Sequence, residues 1–199
     1  MLALLTLINI TFAQGLHTGI PVHGIGGLSA PIFQTSATGW SAQIPRGIVQ
    51  VYVAPTEDEA IGWMAQVTEK MVKYRPGPNP EYIARFQVDE AVGDGIGLLI
   101  VRDNNLAYMV RHDGQATDWA ATLHESIVDI PVPWPQPAIL ERSDGIWAIS
   151  NEENIVHIAF VGGETVDTPE LRFKSLPDRI VVWDGWGRAT VTERNPIDD

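Results

Sequence analysis

Few side chains in this chain combine type and spacing in a way that could do chemistry. His112, Asp113 and Gly114 stand together in a stretch that reads as a strand-to-helix turn, where an imidazole could serve as a general base. Asp94, in the run Gly93-Asp94-Gly95-Ile96-Gly97, supplies a further carboxylate. His112, Asp113 and Asp94 are therefore the candidate catalytic residues, and the reaction they would support is hydrolysis. No Gly-x-Ser-x-Gly elbow and no Ser-x-x-Lys pair offers a nucleophile beside them. Asp and Gly also have an ordinary use in shaping a solvated turn. The reading leans away from an enzyme.

A second group is aromatic. The chain has seven tryptophans, and Trp186 sits in Trp183-Asp184-Gly185-Trp186-Gly187-Arg188, a run that reads as a hairpin tip. An indole exposed at a tip can stack on a sugar ring or insert into a protein partner. Trp186, Trp134 and Arg188 are the candidate ligand-binding residues, and the partner they suit is a protein or a glycan. The competing reading folds Trp186 back over its sheet beside Arg188 as a cation–π pair.

Metals and cofactors find no support in the residue pattern. With no cysteine, thiolate zinc sites, disulfides and a cysteine nucleophile are excluded. The five histidines are scattered; His17 and His23 lack a nearby carboxylate. Asp89-Glu90 and Glu152-Glu153 lack the alternating acidic loop that wraps calcium, and solvated loop charges are expected there. The glycine-rich run at 93–97 leads into a strand, so no helix N-terminus faces an anion, and a flexible connection is expected. No metal and no cofactor are predicted. The formal net charge of −12, from 25 acidic and 13 basic side chains, repels nucleic-acid phosphates, so nucleic-acid binding is not expected.

The elements that must position these groups follow from periodicity. Ile48 to Val53 alternates as a strand. Thr56 and Glu59 form a capping-box pattern, and Ala60, Trp63, Met64, Val67 and Met71 make one helical stripe behind it. Arg75-Pro-Gly-Pro-Asn-Pro80 ends that helix. Tyr82 to Val88 reads as a strand. Leu98–Arg102 and Leu106–Arg111 flank Asp103-Asn104-Asn105 as a tight hairpin, and roughly Ala116 to Val128 reads as a second amphipathic helix. Beyond Ile130–Pro137, which carries four prolines, short strand patterns recur at Ile146–Ser150, Ile155–Val161, Leu171–Phe173, Ile180–Asp184 and Arg188–Thr192.

The run from Val88 to Leu123, with its Asp89-Glu90-Ala91-Val92-Gly93-Asp94-Gly95 turn, the hairpin and the following helix, resembles exported bacterial domains of unknown function. Those pair a Gly-Asp-Glu-Ala turn with a Val-Arg-x-Gly-Asn hairpin, often in a PsbP/Mog1-like α/β sandwich. Here the turn order differs, and Asn104 stands where the hairpin glycine would be. The resemblance covers under a fifth of the 199 residues. It implies a small sheet with helices on one face and an envelope or secreted setting, and it implies no activity.

The organisation expected is thus a signal peptide at 1–13, an uncharged Gly/Pro/Ser-rich arm at 14–45, an α+β domain at 46–129, a Pro-rich linker at 130–137 and a β-rich region or small β module at 138–199. The fold class is α+β, a small mostly antiparallel sheet packed by two amphipathic helices. Met1–Ala13 is almost wholly apolar and too short to span a bilayer, which points to export, to a secreted or periplasmic location, and to a mature chain without a membrane span. The leading functional expectation is a non-catalytic exported protein that binds a partner or ligand at the cell envelope. The alternatives are a hydrolase using a His/Asp pair and a structural subunit of a surface assembly that packs through the 14–45 arm.

Overall fold

The computed structural model describes residues 16–18, 27–28, 32–34, 39–137, 139–143, 146–150, 155–161, 164–167, 171–173 and 179–193. The apolar segment 1–13 read as a signal peptide, His23 and the Glu152-Glu153 pair lie outside them. The strands and helices are, in chain order, β1 (Leu16–Thr18), β2 (Ile32–Gln34), β3 (Gly39–Ile44), β4 (Gly47–Val53), α1 (Glu57–Lys70), β5 (Gly77–Pro78), α2 (Pro80–Phe86), β6 (Glu90–Gly93), β7 (Leu98–Asp103), β8 (Leu106–His112) and α3 (Ala116–Ile127). A single 3-10 turn at Val72–Tyr74 follows α1. The eight strands form one sheet in the order β1-β2-β3-β4-β8-β7-β6-β5, with every neighbouring pair antiparallel. The class is α+β, as the periodicity predicts.

The central strands β7 and β8 are apolar on both faces, so both faces require cover. Leu98, Ile100 and Met109 pack with Met64, Val67 and Met71 of the α1 stripe. On the other face Leu99, Val101, Tyr108 and Val110 meet Ala116, Ala120, Leu123 and Ile127 of α3 and Tyr82 of α2. Full burial of each large apolar side chain here contributes roughly 1.5–3 kcal/mol. α1 and α3 therefore lie on opposite faces, not on the single face that the resemblance implies. At the start of α1 the Thr56 side chain accepts the Glu59 amide at 3.3 Å, while the Glu59 carboxylate accepts from the Tyr52 hydroxyl. Trp63 is half-buried and stacks on Tyr52 with ring centroids 5.7 Å apart.

Two expectations are corrected. Tyr82–Val88, read as a strand, is the helix α2. Asn79 caps it by accepting the Tyr82 amide at 3.0 Å, Pro80 fills the first turn where no N–H is needed, and Gln87 at φ 55° closes it. The proline-rich run thus ends one helix and starts another. The 14–45 segment, read as an arm over the domain, supplies β1, β2 and β3. Trp40, Ala42 and Ile44 alternate inward along β3 and are buried, so the absence of charge there reflects a strand inside the sheet. Trp40 is part of the core.

Beyond α3 the chain continues as β9 (Ile139–Ser143), β10 (Ile146–Ser150), β11 (Ile155–Val161), β12 (Glu164–Asp167), β13 (Leu171–Phe173), β14 (Arg179–Asp184) and β15 (Ala189–Glu193). They form a three-stranded sheet, β13-β10-β9, and a four-stranded one, β12-β11-β14-β15. The β14–β15 hairpin shares the main core: Val181, Trp183 and Ala189 belong to the same buried cluster as Trp40, Val49 and Val51. The Trp40 indole N–H donates to the Gly187 carbonyl at 3.0 Å. Gly187 has φ 80°, and a Cβ there would fall 2.8 Å from Trp40 Nε1, so no larger residue fits without moving the indole.

Candidate functional site

Antiparallel register brings three chain segments distant in sequence to one end of the sheet. Gly47 of β4 pairs with His112 at the end of β8, and Leu98 of β7 pairs with Arg111. The backbones close further through the His112 amide to the Gly97 carbonyl at 3.0 Å and the Asp113 amide to the Arg46 carbonyl at 3.2 Å. Gly47 permits this approach, because a Cβ there would lie 2.4 Å from the Arg111 carbonyl oxygen. Around these ends opens a cleft of about 650 Å³, within the usual size of small-molecule sites. Its lining includes Asp94, His112 and Asp113, so the structure brings all three candidate catalytic residues together.

Their lone pairs are largely committed to the protein. Asp94 Oδ1 accepts the amides of Ile96, Gly97 and Leu98 at 2.9, 2.7 and 2.9 Å. Burial alone would raise this carboxyl, but the amide bonds outweigh it and hold the group below the usual carboxylate range. The 93–97 run, expected to be a flexible connection, is a loop ordered around this one oxygen, with Gly95 at φ 78°. His112 is buried, and its Nδ1 accepts the Gln115 amide at 3.0 Å, which caps the entry to α3. In the neutral ring the proton therefore sits on Nε2, and that nitrogen is a donor. The exposed Asp113 carboxylate is paired with Arg46, whose hydrogen bond holds it below its ordinary range.

The cleft also contains residues that sequence reading passed over. Arg111 is half-buried on the wall, and among the described residues its guanidinium has no ion-pair partner. Tyr74 lines the same wall with Lys73 Nζ 5.1 Å from its ring centroid. Ile96, 66% exposed, stands at the mouth. The signal for Arg111 was a cation ending an apolar strand. Its neighbours come from β4 and the β6–β7 loop, and no local pattern announces them.

The aromatic group also assembles, but inward. Arg188 is fully buried. Its Nε donates to Asp184 Oδ2 at 2.7 Å, and its two terminal nitrogens donate to the carbonyls of Val132 and Pro133 at 2.8 and 2.9 Å. The rings of Trp134 and Trp186 flank the guanidinium at 5.4 and 5.7 Å. Trp186 does lie at a hairpin tip, where Asp184 Oδ1 accepts both the Trp186 and Arg188 amides. With every guanidinium nitrogen engaged by the protein, Arg188 joins the proline-rich strap at 130–137 to the β14–β15 hairpin.

Two further polar clusters are structural in geometry. Asp89 and Glu90, expected as solvated loop charges, surround the buried Arg102 together with Glu57, at 2.9 Å for Asp89, 3.9 Å for Glu90 and 3.0 Å for Glu57. On the α3 face a buried chain runs from Tyr82 Oη to Tyr108 Oη to His124 Nδ1, each step 3.0 Å. Burial raises both tyrosines well above their ordinary range and keeps them protonated. Among the described residues, no group of three or more His, Asp or Glu side chains is placed to hold a metal ion, and no helix is long and apolar enough to cross a membrane.

Fold and cleft together define an α+β protein built on an eight-stranded antiparallel sheet, with an open site at one end of that sheet. Comparison with known proteins finds no family model that matches the chain and no matching curated protein or solved structure.

Proposed function

We propose that this chain is a non-catalytic binding protein of the cell exterior, and that its ligand site is the cleft lined by Arg46, Arg111 and His112. One observation carries the reading. Each candidate acid–base group at the cleft is already engaged, Asp94 by three amides, His112 Nδ1 by Gln115 and Asp113 by Arg46, whereas Arg111 has no ion-pair partner among the described residues. A general base needs a free lone pair of useful basicity. The depressed carboxyl of Asp94 is a poor one, and a donor nitrogen on His112 is none. A half-buried guanidinium without a counter-ion is instead suited to holding a ligand.

The apolar leader supports action outside the cytoplasm, and the Trp186 tip and the assembly reading receive less support than the cleft. Deleting 14–45 to test assembly would remove β3 from the core.

The test is a thermal-shift screen of a metabolite library, with product analysis by mass spectrometry. Compounds that raise the Tm of the wild type are expected to leave Arg111→Ala unmoved and to be recovered chemically intact. Retention of every hit by Arg111→Ala would place binding elsewhere. Consumption of a hit, abolished in His112→Ala, would make the protein a hydrolase. Export predicts a chain beginning at Gln14 in material collected outside the cell; recovery there of chains that still carry Met1 would contradict it.

A further inference from the structure

The wall of the cleft lacks the acidic excess of the whole chain, and this points to a ligand class. The protein has 25 acidic and 13 basic side chains, yet the cleft is lined by Arg46 and Arg111 against Asp94 and Asp113, and Lys73 lies next to it with its Nζ 5.1 Å from the ring of the lining Tyr74. Both carboxylates are committed. Asp113 neutralises Arg46, and Asp94 is surrounded by the amides that it orders. Arg111 and Lys73 remain, and among the described residues neither has an ion-pair partner. An unneutralised guanidinium on the wall of a cleft, in a chain of net charge −12, is an electrostatic exception that an anion would complete, and Lys73, beside the Tyr74 ring, adds to the positive field there.

The rest of the lining is not that of a bare phosphate or sulfate site. Tyr74 and the exposed Ile96 line the same cleft as Arg111 and supply apolar surface there. Gly97 has no side chain where a Cβ would lie 4.0 Å from the Tyr74 ring and 3.5 Å from Asp94 Oδ2, which keeps the space between them open. A planar guanidinium fork matches a carboxylate in a bidentate pair, and an adjacent apolar wall suits the body that carries it. Resting on the binding reading above, we infer that the cleft takes an organic carboxylate with an apolar or aromatic body. Its carboxylate pairs with Arg111 within the field of Lys73, and its body lies against Tyr74 and Ile96.

The experiment uses the full chain and a matched pair, N-acetyl-phenylalanine and its uncharged amide, followed through the backbone amide resonances of Gly97, Arg111 and Gly114. The acid is expected to shift these resonances and to bind at least about 10-fold more tightly than the amide. Arg111→Gln should remove that preference, and Lys73→Gln should reduce it. Among the described residues Arg111 has no ion-pair partner to lose, so the variant is expected to fold, and its amide spectrum checks this directly. Should Arg111→Gln nevertheless unfold, Lys73→Gln together with the acid–amide comparison on the wild type decides the question. Equal binding of acid and amide at these resonances overturns the carboxylate class but leaves the cleft a binding site. Inorganic phosphate binding as tightly as the acid overturns the role of the apolar wall. If neither compound moves these amides, the carboxylate class is overturned, and the wider reading is judged by the library screen alone.

Discussion

At the scale of single residues, His124 shows how burial sets a titration. The ring is 1% exposed, accepts the Tyr108 hydroxyl at Nδ1 in its Nε2-protonated form, and has Asp129 Oδ1 3.7 Å from Nε2. Desolvation lowers its pKa from the ordinary 6.5, against the opposing pull of Asp129, Asp103 and Glu125. The folded protein thus binds fewer protons at this ring than the unfolded chain does. Its contribution to stability is complete above about pH 6.5 and is lost as pH falls from there toward the lowered folded value, with a slope of at most about 1.4 kcal/mol per pH unit. Urea denaturation at pH 7.5 and pH 5.5 should show a loss in the wild type that is smaller in His124→Gln. Identical losses would mean that other groups carry the dependence. Sequence reading found this histidine only as one of five scattered ones. Its position facing the sheet follows from the α3 stripe, but its tyrosine partners come from α2 and β8.

At the scale of elements, the proline-rich segment 130–137 is held as a strap. Arg188 supplies two hydrogen bonds to its carbonyls, and the Thr190 hydroxyl donates to the carbonyl of Pro135. Prolines lack N–H donors, so such a run cannot join a ladder by its amides and is anchored through its carbonyl oxygens instead. Replacing Arg188 with Met would leave Asp184, itself buried, without its counter-ion and would free the strap. The expected cost is about 3–5 kcal/mol. It should show as a lower denaturation midpoint and as faster proteolysis within 130–137; a variant as stable and as resistant as the wild type would refute the latch. The stretch was legible as stiff and extended, but its anchor was not, because the two lie 55 and 56 positions apart.

At the scale of the whole molecule, the main sheet and the C-terminal hairpin share one core. Val181, Trp183 and Ala189 complete the cluster that β3 and β4 begin, and Trp40 is bonded across to Gly187. A chain ending at residue 137 would expose this surface and leave the Trp40 N–H without its acceptor. It is expected to show poorly dispersed amide resonances and to aggregate, where an independent β module would permit a well-dispersed spectrum. The sequence reading leaves 138–199 either as a β-rich region or as a small β module beyond the 130–137 linker. Among the described residues, β14 and β15 on its far side share their core with β3 and β4.

What the amino-acid sequence determined by itself was local: the stripe and cap of α1, the β7–β8 hairpin around Asn104, the extent of α3, the α+β class, and the absence of cysteine chemistry. These depend on neighbours within a few positions, where period, caps and turn residues act directly. Tertiary structure alone decided the strand role of β3, the convergence of Asp94, His112 and Asp113 on one cleft, and the placement of Arg111 and Tyr74 on the wall of that same cleft. Each of those is a matter of register between strands distant in the chain, and register is set by which faces are buried together, a property that no single segment carries.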